Sequence, residues 1–179
     1  MKYISILRGI NVSGQKKIKM ADLKSLYELL GFQDVVTYIQ SGNVVFEATA
    51  KMKTDLKTKI EKAIETKYKF RVPVEIKTNR EIGDIVNNCP FGSVDLAKDG
   101  TKVLVTFLSS KPSETRISDV QKYVDPPEQL VVREKEVYLY CPNGYGKSKL
   151  SNTFLENKLG VEATTRNLKT VYNLYEISV

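Results

Sequence analysis

Apolar residues along this chain switch between strand-like and helix-like spacing, and the switches lay out its elements. Tyr3 to Arg8 is a short β-rich run. From Met20 the spacing turns helical: Met20, Leu23, Leu26, Tyr27 and Leu30 share one face, and Gly31 ends the helix. Val35 to Ile39 and Val44 to Ala48 read as hairpin strands around a Ser41-Gly42-Asn43 turn. A long helix over 51–71 carries Met52, Leu56, Ile60, Ala63 and Ile64 as its buried stripe, and Val72 to Thr78 alternates as a strand. The resulting order, β-α-β-β-α-β, is the split βαβ pattern.

The same order then starts again. After a connector with a short helical piece around Glu81 to Val86, Lys102 to Leu108 is an apolar strand and Pro112 to Val124 a helix. Gln129 to Arg133 and Glu136 to Cys141 form a hairpin across Glu134-Lys135. Ser148 to Leu159 is a helix ended by Gly160, Val161 to Thr165 a short last strand, and Asn167 to Ile177 a closing helix. The expected fold class is α+β: duplicated ferredoxin-like (βαββαβ) units with antiparallel sheets, plus a C-terminal helix. The units span 1–80 and 102–179, joined by the connector 81–101. Helices alternating with antiparallel hairpins exclude a doubly wound parallel sheet.

Composition narrows the chemistry. The 179 residues include no histidine, which removes Ser/His/Asp and Cys/His nucleophile pairs and imidazole metal sites. Cys89 and Cys141 are each followed by proline and belong to no CxxC pair, so no metal site and no disulfide framework is expected. The apolar stretch Ile4-Ser5-Ile6-Leu7 stops at Arg8, far short of a signal-peptide core, and no segment has the apolar length of a membrane span. A cytoplasmic protein without membrane association follows as the expectation.

Charge is distributed unevenly. Residues 1–80 hold 16 basic and 8 acidic side chains, a net of +8, whereas residues 81–179 hold 12 and 13, a net of −1. One basic surface in the first half attracts anions such as a nucleotide or nucleic acid.

Four windows look unlike packing. The loop Arg8-Gly9-Ile10-Asn11-Val12-Ser13-Gly14-Gln15-Lys16-Lys17 follows the first strand, and Tyr38-Ile39-Gln40-Ser41-Gly42-Asn43 forms the first hairpin turn. In a βαββαβ unit these meet at one end of the sheet, so Arg8 and Asn11 approach Gln40, Ser41 and Asn43. A guanidinium beside amides and hydroxyls suits a carboxylate or phosphate. The third window is Pro142 to Leu150, containing Gly146-Lys147-Ser148 before a helix. A phosphate loop needs glycine five residues before Gly146, where Cys141 stands, so the pattern of a P-loop NTPase is not met. A glycine-rich turn with Ser148 as helix cap and Lys147 beside it can still hold an anion. The fourth window, Thr164-Thr165-Arg166-Asn167, is expected at the same sheet end as Lys147 and Ser148. Aromatic stacking of single-stranded bases is disfavoured, because Asn43, Val45 and Ala48 stand where an RNA-recognition strand carries rings.

Taken together, Arg8-Gly-Ile-Asn-Val12, Tyr38-Ile-Gln-Ser-Gly-Asn-Val-Val-Phe46, the Pro142-to-Leu150 turn and Thr164-Thr-Arg-Asn167 resemble a bacterial family known as domain of unknown function 1697. Ser13 and Leu168 depart from its pattern, which often has glycine and an aromatic at those positions. The resemblance implies a duplicated ferredoxin-like α+β fold and supplies no activity.

The functional expectation is therefore binding of an anionic, phosphate-bearing ligand by Arg8, Asn11, Gln40, Ser41 and Asn43 and by Lys147, Ser148, Arg166 and Asn167. No cofactor is expected. Two alternatives stay open: a small hydrolase or transferase acting on a phosphorylated or carboxylated substrate, and an interaction module whose motifs serve turns and caps. The sequence leaves oligomeric state undetermined.

Overall fold

The first half folds around β1 (Lys2–Leu7), in which Tyr3 to Leu7 are all buried. In the computed structural model, which describes residues 1–49 and 52–179, β1 is followed by α1 (Met20–Leu29), β2 (Gln33–Tyr38), β3 (Asn43–Glu47), α2 (Lys53–Tyr68) and β4 (Val74–Thr78). Lys51, expected within the second helix, lies outside the described residues. The strands make one antiparallel sheet in the order β2-β3-β1-β4. The helical stripes pack on one face of it: Leu23, Leu26 and Tyr27 from α1 and Leu56, Ile60 and Ile64 from α2 join Tyr3, Leu7, Val44 and Phe46. Tyr27 lies edge-on to Phe46 at 5.4 Å, and its hydroxyl, buried, shares a 2.8 Å hydrogen bond with Ser5 Oγ. Met52 departs from the expected stripe. It is 69% exposed, because the helix begins one residue later and leaves Met52 extended at its N-cap.

α3 (Asn79–Asn87) follows directly, with the Glu81 carboxylate accepting from both the Thr78 N–H and the Thr78 hydroxyl. The second half then repeats the order. β5 (Val103–Leu108), α4 (Glu114–Gln121), β6 (Gln129–Arg133), β7 (Glu136–Tyr140), α5 (Asn152–Leu159) and β8 (Ala163–Asn167) give a second antiparallel sheet, β6-β7-β5-β8. Leu104, Leu108, Val137, Leu139 and Cys141 pack with Val120 of α4 and with Leu155 and Leu159 of α5. The chain ends in α6 (Leu168–Ser178).

The fold is thus α+β with two four-stranded antiparallel sheets of ferredoxin-like order and a C-terminal helix. It divides into two compact units, Met1–Gly83 with Leu174–Val179, and Asp84–Asn173. Among the described residues no helix is long and apolar enough to cross a membrane.

Two boundaries differ from the sequence expectation in ways that bear on function. α5 starts four residues after Ser148, and its N-cap is Ser151, whose Oγ accepts from Phe154 N–H at 3.2 Å. Residues 145–147 form a separate 3₁₀ turn instead. β8 also runs two residues further than Thr165, so Arg166 lies in the sheet paired with Val105.

Candidate functional site

In the first unit the two windows do meet. Ile6 faces Asn43 across β1 and β3, and Leu7 N–H donates to Gly42 O at 2.9 Å. Arg8 N–H donates to Pro73 O at 2.9 Å, which anchors the loop on its other side as well. Beyond it the loop closes on itself, with Val12 bridged to Gln15 and left-handed backbone at Ser13 (φ 50°) and Gly14 (φ 75°). Two such residues in succession make the primed turn that a two-residue hairpin needs. Ser13 therefore occupies a conformation that glycine adopts at less cost.

Asn11 is the fastener. Its Nδ2 donates to Ile18 O at 2.9 Å and to Gln40 O at 2.8 Å, while Oδ1 accepts from Ile18 N–H at 2.9 Å. One side chain thereby joins both ends of the loop to the hairpin turn. Both amide protons are used, so Asn11 holds the loop in place more than it offers donors to a ligand. Asn43 behaves similarly: fully buried, it donates to Tyr38 O at 3.0 Å and to Ser41 Oγ at 3.2 Å. Arg8 and Ser41 are half-buried, and Gln40 is exposed. Those three are the predicted residues with accessible surface at this end of the sheet, Arg8 and Ser41 having further contacts within the chain. Lys16 joins them from outside the predicted set: its Nζ donates to Arg71 O at 2.8 Å, bringing Arg71 to the same rim. No periodicity could signal that, since the two are far apart in the chain and meet only through the fold.

The second group divides. The Cys141 end of β7 and the Asn167 end of β8 lie at the same end of the sheet, as expected. Side chains alternate along β8, however. Thr165 Oγ1 donates to Asn152 Oδ1 of α5 at 2.9 Å, so Thr165 faces the helices and Arg166 faces the opposite side. Arg166 is 9% exposed, its Nη1 donates to Thr165 O at 2.9 Å, and burial lowers its guanidinium to about 10. It stays protonated at neutral pH. Asn167 caps α6, its Oδ1 accepting from Thr170 N–H at 2.8 Å. Ser148 Oγ accepts from Leu150 N–H at 3.1 Å, a local turn bond, and lies against Cys141. Burial pushes the Cys141 thiol up to about 11, with the Ser148 contact opposing the shift. Lys147 alone of the four is exposed. Among the described residues no cluster of three Cys, Asp or Glu side chains could hold a metal ion.

Comparison with known proteins agrees with this architecture. A model of the family described as "Protein of unknown function (DUF1697)" matches residues 1–138. That stretch contains the Arg8 loop and the Gln40 hairpin turn and ends before the Lys147 and Arg166 windows. Among solved structures, the conserved bacterial protein SP0830 from Streptococcus pneumoniae is similar, with a TM-score of 0.77 and 21% identity over 99% of this chain and 98% of that one. At that identity the likeness speaks for the fold. No curated protein matches the chain.

Proposed function

The chain belongs to the DUF1697 family, which carries no assigned activity, and from the geometry of the site we propose that it binds an anionic, phosphate-bearing ligand, a nucleotide or a nucleic-acid backbone, at the Arg8 end of its first sheet. One observation carries the reading: Asn11 spends its amide on Ile18 and Gln40 and so fixes the Arg8-bearing loop against the hairpin turn. A guanidinium held on a fixed loop meets an oxyanion with less conformational loss than one on a mobile loop. Arg8 supplies the charge-assisted contact, and Gln40 and Ser41 supply neutral donors beside it. Asn11 and Asn43 serve as the frame. The net of +8 over residues 1–80 raises the local concentration of anions around that frame. In the second unit Lys147 offers a lesser contact of the same kind, with Ser148 and Asn167 committed to turn and cap and Arg166 buried.

Fluorescence anisotropy with labelled single-stranded RNA and DNA, and calorimetry with ATP, each across a potassium chloride series, test this. Binding is expected to weaken steeply with salt, and Arg8→Ala to weaken it about tenfold or more at low salt. Binding of ATP without the oligonucleotides identifies a nucleotide site, and the converse a backbone site. Absence of all three, or affinity indifferent to salt, overturns the reading.

A further inference from the structure

The second unit contains a pocket of about 380 Å³ that no part of the reading above uses. Its floor is the sheet end formed by Val103 of β5, Gln129 of β6 and Tyr140 of β7, and its wall is the chain between Pro90 and Asp99. Phe91 and Tyr140 both line the pocket, with ring centroids 6.0 Å apart and planes tilted by 41°. Asp95 and Asp99 lie in the same wall, and none of the lining residues is basic.

Both carboxylates are positioned without being used up. Asp95 Oδ1 accepts from the Ala97 and Lys98 N–H groups at 3.0 and 3.3 Å, which ties it to its own turn. Lys98 Nζ stands 3.6 Å from Asp95 Oδ2, and Lys102 Nζ donates to Asp99 Oδ1 at 2.8 Å. Neither lysine lines the pocket. An ionised carboxylate has roughly four acceptor positions, so each retains capacity for an incoming donor. The volume is that of a small organic ligand rather than a bare ion.

We propose that this pocket binds an organic cation, a guanidinium or ammonium group, through the faces of Phe91 and Tyr140 and the carboxylates of Asp95 and Asp99. Aromatic faces attract cations, and a planar guanidinium can stack on a ring while donating to a carboxylate at its edge. A phosphate would meet two carboxylates, each paired with a lysine from outside the lining, and no donor cation among the lining side chains. The pocket therefore takes a ligand of the opposite sign from the one proposed for the first unit, and the two proposals stand independently.

Amide-detected NMR titration with N-acetyl-arginine amide, against N-acetyl-norleucine amide as the uncharged counterpart, tests it on the full chain. The arginine probe is expected to bind about tenfold more tightly or better, with the largest shifts at Phe91, Val103 and Tyr140. Asp99→Asn and, separately, Asp95→Asn are expected to weaken it about fivefold or more. Both changes keep the shape of the wall, and the same spectra verify the fold. A Tyr140→Leu chain loses the cation preference if it remains folded, and Phe91→Leu supplies the same readout if it does not. Equal affinity for the two probes, shifts centred elsewhere, or indifference to both Asp changes overturns the proposal.

Discussion

Gly42 and Ile10 occupy each other's space. A Cβ built on Gly42 would stand 2.5 Å from Ile10 Cδ1 and 3.0 Å from Leu7 Cβ, and Gly42 itself has φ 82°. The contact makes one structure of two motifs separated by the whole of α1 and β2: the loop after β1 is seated because the hairpin turn has no side chain at that point.

Gly42→Ala is accordingly expected to destabilise the protein by about 2–4 kcal/mol, from left-handed strain and from overlap with Ile10. Urea denaturation measures the loss. Ile10→Val removes the Cδ1 atom that the new methyl would strike, at a cost of its own of about 1 kcal/mol. Combined, the two changes should cost less than their sum by about 1 kcal/mol. Strict additivity would mean that the strain is all in the backbone and the contact is incidental.

Asn11→Ala removes three hydrogen bonds and leaves alanine at φ 56°. A loss of about 2–4 kcal/mol is expected. Asn11→Gly relieves the dihedral and keeps the hydrogen-bond loss, so it should fall between the wild type and Asn11→Ala. Limited proteolysis within residues 9–17 should accelerate in both. An unchanged cleavage rate would show that the loop is held by other contacts.

The left-handed residue that ends α2 is Lys69 (φ 64°), whereas α5 ends on Gly160 (φ 69°). Lys69 is exposed, so its replacement by glycine changes the backbone and little else. Lys69→Gly should raise stability by about 1 kcal/mol, or the melting temperature by about 2–4 °C. Gly160→Ala should move the other way, since alanine is strained at that dihedral and its Cβ would displace the Arg116 guanidinium. Calorimetric melting of the two variants beside the wild type checks both signs.

Alkaline pH should weaken the fold through Cys141. Burial raises this thiol from its ordinary value of 9 to about 11. Between those values the unfolded chain has already lost the proton that the folded chain keeps, so stability falls as pH rises. The contribution is intact below pH 9 and gone above about pH 11. Its size is on the order of 2 kcal/mol. Tyr27, raised further by burial, extends the decline beyond pH 10. Denaturation midpoints measured under reductant between pH 8 and pH 11 should drop less steeply in Cys141→Ala than in the wild type. Parallel slopes would remove the thiol from the account.

What the chain determines locally was legible in its residues. The helical stripes at Leu23, Leu26 and Tyr27 and at Leu56, Ile60 and Ile64, the two hairpins, and the repeat of βαββαβ order follow from periodicity and turn chemistry, and each is present. The meeting of the Arg8 loop with the Gln40 turn also followed, because strand order alone brings the end of β1 to the start of β3. The occupation of each polar group was decided by tertiary structure. Asn11 could have faced a ligand, but a left-handed backbone aims its amide at Ile18 and Gln40. Arg166, expected among the ligand-binding residues, is instead buried, because β8 extends two residues and strand alternation turns it away from Asn152 and α5. Ser148 lost the cap to Ser151 because the Gly144-to-Lys147 segment closes as its own turn before α5 begins. Periodicity records which face of an element is apolar. Which partner satisfies a given donor depends on residues brought together from distant parts of the chain, and only the folded structure sets those neighbours.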